Sequence, residues 1–250
     1  MDQFLRGTLT PLRREVVRLG VVTSTQAIAF EMAEQGAADG TVVVADTQTA
    51  GRGRRGRMWH DAPGDNLLIS IVIRPRLNVA DLPKLSLAAA VAVAEAIAFA
   101  TGLQARLKWP NDVLVNGRKL AGILLESRIV AEPVVVVGIG VNLRQRTFPA
   151  ELAETATSVD LEGGREVGRE ELLEAVLDAF DLWRRGLERE GFASLRERWL
   201  ALADTIGRAV TVGEHAGVAV DLAEDGALVL RQEAGLQRVV AGEMTASFPR

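Results

Sequence analysis

Four short apolar runs, 106–109, 112–115, 119–125 and 134–141, follow one another so closely that no helix fits between them. A parallel connection needs a crossover of about a dozen residues or more, so these runs must pair antiparallel. The pattern predicts an α+β fold and argues against a doubly wound sheet. Asn116-Gly117 stands between the second and third runs, and both residues tolerate the positive φ of a type I′ hairpin turn. That turn sets Val115 opposite Arg118 and Leu114 opposite Lys119. Asp112 then lies further along the same face, a backbone diagonal of roughly 7–8 Å from Lys119. Asp112 and Lys119 are expected to share one site.

Runs 42–45 and 67–73, rich in β-branched residues and bounded by Gly, Asp or Pro, read as further strands. Asp81, Leu82 and Pro83 signal the start of an alanine-rich helix over 85–100. That helix is broken by Ser86 and Glu95 and is shorter than the roughly 20 apolar residues of a bilayer span, so it should be buried. Residues 170–187 place Leu172, Leu173, Val176, Leu177, Phe180, Trp183 and Leu187 at helical spacing. Ser194 and Glu197 form a capping box for a second helix through Leu202. Beyond Gly207 the runs 209–212, 218–222, 227–231 and 238–240 alternate with Gly-containing turns, which predicts a small β-barrel. The expected organisation is a main domain over 1–205 and a small one over 206–250.

With 48% hydrophobic and 25% charged residues, the chain has a core to bury. Its net charge of -4 repels phosphate backbones except at a local basic patch. The absence of cysteine removes disulfides, Cys-ligated zinc and thiol nucleophiles together. His60 and His215 do not stand with serine and carboxylate in hydrolase-like order, and both are expected in surface or turn positions. Trp183 and Trp199 should be core. The first 20 residues are charged and lack the apolar stretch of a signal peptide, which points to the cytoplasm and to no membrane partner.

One local basic patch exists. Gly51-Arg52-Gly53-Arg54-Arg55-Gly56-Arg57, followed by Trp59, sets four cations among glycines that let a ligand approach the backbone. No Gly-Lys-Ser/Thr follows, so this is not a P-loop. Alone, it reads equally as an anion cradle or a solvated, RGG-like basic loop. Lys108-Trp109-Pro110-Asn111-Asp112 presents an amide and a carboxylate together at a turn. Alternation along 138–142 puts Gly138, Gly140 and Asn142 on one face, a strip on which a flat ligand can lie. Lysine occurs only at Lys84, Lys108 and Lys119 among 29 basic residues, so each is a candidate for a role arginine cannot fill. Lys84, beside Pro83, reads as a mere survivor. The Arg/Gly loop and residues 143–158 carry few apolar anchors and are expected to be loose without ligand.

These elements, with Ser24-Thr25, Gln48-Thr49-Ala50, the run from Lys119 to Leu124, Phe148-Pro149 and Ala156-Thr157-Ser158, occur in one order over about residues 20–160. In that order they resemble the motifs of the biotin protein ligases, of the monofunctional type. The resemblance implies a catalytic domain related to class II aminoacyl-tRNA synthetases with a mixed or antiparallel sheet, plus a C-terminal SH3-like barrel. It implies ATP and biotin as substrates with Mg²⁺, and a biotin carboxyl carrier protein or domain as partner. Ser24, Thr25, Gln26, Gln48, Gly51, Arg52, Gly53, Arg54, Lys119, Gly122, Leu124 and Gly140 are then the biotin side of the site. Arg52, Arg54, Arg57, Trp59, Asn111, Asp112, Lys119 and Asn142 are the ATP side, with Lys119, Arg54 and Asp112 catalytic and Asp112 a metal ligand. A lipoate ligase is the nearest alternative. The 23 residues before Ser24 are too few for a helix-turn-helix domain of roughly 60 residues, so DNA binding is not expected, while a homodimer is left open.

Overall fold

The computed structural model describes residues 14–129, 132–240, 242 and 244–246. The opening residues read above for a signal peptide lie outside these up to position 13, as does the start of the expected main domain. A seven-stranded sheet forms the body, in spatial order β1 (Val16–Val22), β2 (Val42–Gln48), β3 (Asn66–Ile73), β7 (Pro133–Asn142), β6 (Arg118–Ile129), β5 (Asp112–Val115) and β4 (Arg106–Lys108). Every neighbouring pair from β2 onward is antiparallel, as the crowded spacing of the runs requires. The β1–β2 pair is parallel, so the sheet is mixed. Its crossover is α1 (Thr25–Glu34), which no periodicity marks: β1 and α1 are both additions to the sequence reading.

Two layers of helix cover the sheet. α2 (Lys84–Thr101) and α3 (Arg169–Glu190) pack on one face with Val42, Val44, Leu67, Ile69, Ile71, Val135 and Val137. α1 covers part of the other with Ala29, Phe30 and Ala33 on Val43, Val72 and Val136. This alternation follows from the period of two along each strand. The segment Val79–Thr101, which contains α2, is long and apolar enough to cross a membrane, yet 72% of its apolar stretch is buried inside the protein, as a core helix should be. Lys84 is no surface survivor. It is buried, with Nζ 2.6 Å from Asp81 Oδ1 and 5.0 Å from the centre of the Phe192 ring. Trp199 is core, while Trp183 is partly buried and donates Nε1–H to Glu95 at 2.7 Å.

α4 (Ala193–Leu202) follows α3, but its N-cap is Phe192 with no side-chain cap, so the Ser194–Glu197 capping box does not form. Burial of Leu195 and Trp199 sets its start instead. The chain then builds a five-stranded antiparallel sheet, ordered β11 (Gly235–Val239), β10 (Leu228–Gln232), β9 (His215–Leu222), β8 (Ala209–Val212) and β12 (Met244–Ala246). It is tied to the body at Trp109, whose backbone N–H donates to Thr205 Oγ1 and whose indole N–H donates to Gly226 O.

Candidate active site

The cavity on the α1 face is built on missing side chains. Gly138 and Gly140 of β7 pair with Ser70 and Leu68 of β3 on one side and with Leu124 and Gly122 of β6 on the other. Three glycines and a serine thus make a low floor in the middle of the sheet. Trp59, from the end of the Arg/Gly loop, lies on it: a Cβ built at Gly140 would stand 2.6 Å from Trp59 Cε2, and one at Gly122 would stand 3.0 Å from Trp59 Cζ3. Gly140→Ala forces the indole off the floor, and overpacking of this kind costs about 1–3 kcal/mol. We expect the melting temperature to fall by about 2–4 °C for each kcal/mol lost, read by thermal unfolding.

The deep end of the cavity is polar. Ser24, Thr25 and Gln26 arrive from the start of α1, Gln48 from the end of β2 and Ser70 from β3, and all are lining residues. Gln48 Oε1 accepts from the backbone N–H of Thr25 at 2.8 Å and from its hydroxyl at 3.1 Å. Gln26 Nε2 donates to Val136 O at 3.1 Å. Ser24 Oγ is buried with no hydrogen-bond partner. Buried polar atoms are rarely left this way unless a ligand or water completes them. Ser70 is the residue the sequence reading missed, because a lone serine inside an apolar strand carries no motif.

The open end is cationic. Lys119 Nζ sits 2.6 Å from Asp112 Oδ1 and 5.7 Å from the centre of the Trp59 ring. Val115 faces Arg118 and Leu114 faces Lys119 across a turn with positive φ at Asn116 and Gly117. A bulge between Val113 and Leu114 then sets Asp112 opposite Gly122. The Lys119 contact is an ion pair without hydrogen-bond geometry, so Asp112 Oδ1 remains a buried oxygen with no hydrogen-bond partner. The Arg54 guanidinium donates to Asn111 Oδ1 at 3.0 Å, and Asn111 Nδ2 donates to Ile123 O at 2.7 Å. Burial and the neighbouring Arg55 lower the Arg54 pKa from its ordinary value, while Asp112 opposes them. Arg54, Arg55, Arg57, Lys108, Asn111, Asp112 and Lys119 line a second cavity that shares Arg54, Asn111 and Lys119 with the first, and Gly242 and Met244 from the C-terminal unit line it too.

The Arg/Gly loop is better anchored than its sequence suggests. Gly53 N–H donates to Arg57 O, Trp59 N–H to Gly51 O, and Arg52 pairs with Glu126 at 2.7 Å. Arg52 and Gly53 line both the first cavity and the outer groove of the loop, Arg57 lines that groove and the second cavity, and Gly51 lines the groove. Residues 155–157 are also held: Lys119 N–H donates to Thr155 O, and Thr157 N–H donates to Lys119 O. Glu162 adds a brace, accepting from Thr157, Asn116 and Arg118 at 2.6–2.7 Å. Asn142 is buried, donates to Thr157 O at 2.9 Å and does not line either cavity. Its Oδ1 has no partner. Among the described residues no group of three or more His, Cys, Asp or Glu side chains could hold a metal. His60 is partly buried in the stretch after the loop and His215 is exposed at the start of β9.

A half-open cavity with a polar end beside a cationic one is suited to a small organic ligand next to an anionic group. By its match to the family model for the biotin/lipoate A/B protein ligases over residues 19–143, and to that for the biotin protein ligase C-terminal domain over 205–245, the chain belongs to the biotin protein ligase family. It is 41% identical over 232 residues to the biotin acetyl-CoA-carboxylase ligase of Paracoccus denitrificans, covering 88% of this chain and 96% of that one. It is 38% identical over 232 residues to the bifunctional ligase/repressor BirA of Bacillus subtilis, covering 90% of this chain and 71% of that one. The solved biotin protein ligase of Aquifex aeolicus, in complex with biotin and ATP, superposes with a TM-score of 0.83 at 30% identity, covering 93% of this chain and 98% of that one.

Proposed function

We infer that the chain activates biotin with ATP and transfers the biotinyl group to a lysine of a biotin carboxyl carrier protein or domain. The observation that supports this best is the junction of the two cavities at Arg54, Asn111 and Lys119. An acid whose ring occupies the polar deep end reaches that junction with its carboxylate. There it attacks the α-phosphorus of ATP; the new C–O–P link forms as the bond to pyrophosphate breaks. Two anions must be brought together, so the site has to supply positive charge and alignment, and no covalent enzyme nucleophile is needed. Lys119 and Arg54 supply the charge. In the second step a neutral lysine amine attacks the mixed anhydride and AMP leaves.

Asp112 fits two roles in this scheme. Mg²⁺ is commonly held by one or two carboxylates together with substrate phosphates, where it offsets phosphate charge. The Asp112 carboxylate, ion-paired with Lys119 Nζ at 2.6 Å, supplies negative charge for such a cation and a base for the proton of the attacking amine. Arg52 and Arg57 are assigned to the phosphate side, Trp59 to the lid over ring and nucleotide, and Asn142 to fixing Thr157 behind Lys119. We place the enzyme in the cytoplasm with a carrier protein as its partner; a homodimer fits the same reading. Intact mass of a carrier domain incubated with the chain, biotin, ATP and Mg²⁺ tests the whole reaction: one added biotinyl group is expected, and unchanged carrier mass overturns it.

A further inference from the structure

We propose that Glu162 is a positioning residue for adenylate formation: its buried carboxylate locks the main chain on both sides of Lys119 and thereby sets where the Lys119 ammonium stands. This role rests on the reading that Lys119 serves the attack of biotin on ATP. Glu162 itself lines neither cavity, so it acts only through what it holds.

Lys119 lies where the sheet gives out. On one side it pairs with Leu114 of β5, but β7 reaches along β6 only as far as Ala121, opposite Val141. The other side of Lys119 is taken by residues 155–157 in a single parallel bridge: Lys119 N–H donates to Thr155 O at 2.7 Å, and Thr157 N–H donates to Lys119 O at 2.9 Å. A reacting group must be held to within about 0.5 Å, and a strap of three residues has little stiffness of its own. Its anchors are Asn142, which donates to Thr157 O, and Glu162, which accepts from the Thr157 hydroxyl at 2.6 Å.

The same carboxylate reaches across to the β5–β6 hairpin. It accepts from Asn116 Nδ2 at the turn and from Arg118 beside Lys119, both at 2.7 Å. Glu162 thus joins the residue before Lys119, the turn that sets its register and the strap behind it. Its own place is fixed by a tight turn, in which Glu162 N–H donates to Ser158 O and Leu161 N–H to Ser158 Oγ. The Glu162 side chain is only 4% exposed. Burying a carboxylate is costly, and a well-packed apolar side chain of similar volume is often as stable or more so. An apolar side chain cannot satisfy donors from three separate pieces of chain, and so cannot fix their register. Burial pushes the Glu162 carboxyl up, yet hydrogen bonds from Thr157 and Asn116 and the charge of Arg118 outweigh it and hold the group below its ordinary value. The carboxylate is therefore ionised, and the brace intact, at neutral pH.

Glu162→Ala cuts the brace and leaves every side chain that lines the two cavities. In biotin-dependent pyrophosphate release kcat should fall about tenfold, less than the hundredfold that a shift of about 1 Å can cost. KM for biotin should stay within about twofold, because losing an interaction made only in the transition state lowers kcat and leaves KM. The sharper test is a cycle with Lys119→Ala, followed in single turnovers with enzyme in excess. In that background Glu162→Ala should cost less than about twofold, since residues that act through one another are not additive. A tenfold loss in both backgrounds, a rise in KM that accounts for the loss, or unchanged kcat in Glu162→Ala overturns the proposal while leaving biotin ligation in place. If Glu162→Ala does not fold, Thr157→Val decides, because it keeps the shape at 157 and removes only the hydroxyl donor. Its kcat should fall about threefold, and the loss should vanish with Lys119→Ala, whereas unchanged kcat or an additive loss overturns the proposal. A wild-type chain without biotin-dependent release overturns the functional reading and this proposal together.

Discussion

Lys119→Arg is expected to abolish most adenylation, by about a hundredfold or more, while the protein stays folded. The charge is unchanged, so the effect must come from shape. Lys119 Nζ is held 2.6 Å from Asp112 Oδ1 and against the bare backbone of Gly122, where a built Cβ would stand 3.0 Å from both Cε and Nζ. A compact ammonium fits that slot. The planar guanidinium is wider and prefers a bidentate grip on a carboxylate, so it would settle on Asp112 and draw away from the reacting oxygens. A displacement of about 1 Å in a reacting pair can cost on the order of a hundredfold. Biotin-dependent pyrophosphate release measures the loss, and a melting temperature close to wild type shows that the fold survives. Unchanged release would mean that Lys119 contributes charge without position.

Arg54→Gly should separate formation of the intermediate from its retention. Arg54 closes the loop onto Asn111, lines both cavities and sits within the field of Asp112. A mixed anhydride must be kept from water until the acceptor lysine arrives. A charge-assisted hydrogen bond to the adenylate phosphate contributes about 1.5–3 kcal/mol, or about tenfold to a hundredfold in retention. Without Arg54 the loop keeps its own backbone bonds, Gly53 N–H to Arg57 O and Trp59 N–H to Gly51 O, and the Arg52–Glu126 pair, which is partly exposed and therefore weak. Biotinyl-adenylate should still form, because Lys119 remains, but it should leave faster and label lysines of an unrelated protein. Retention equal to wild type would move the lid function to other contacts.

The parts of this site that were legible in the sequence are those governed by short-range rules. The Asn116-Gly117 turn dictated its own register, and that register brought Asp112 and Lys119 together with a bulge supplying the final shift. Strand alternation likewise placed Gly138 and Gly140 on one face. What could not be read depends on contacts distant in the chain. β1 is a partly exposed edge strand whose mixed residues show no clean alternation, and the low amphipathicity of α1 hides a helix that buries Ala29, Phe30 and Ala33 on the sheet, with Ile28 and Met32 partly buried beside them. Their parallel pairing with β2 is therefore invisible locally. Ser70 acquires meaning only because Thr25 and Gln26, more than forty residues away, converge on it. The capping box at Ser194 shows the reverse failure: a local signal was overridden by the burial of Leu195 and Trp199.

The central claim, that the cavity and the cationic junction together activate biotin, is tested most directly by pyrophosphate release from the purified chain with ATP and Mg²⁺ and no acceptor protein. Release should require biotin, should stop near one equivalent per enzyme as the adenylate accumulates, and should be far slower with lipoate. Equal or faster release with lipoate, or release independent of either acid, would contradict it.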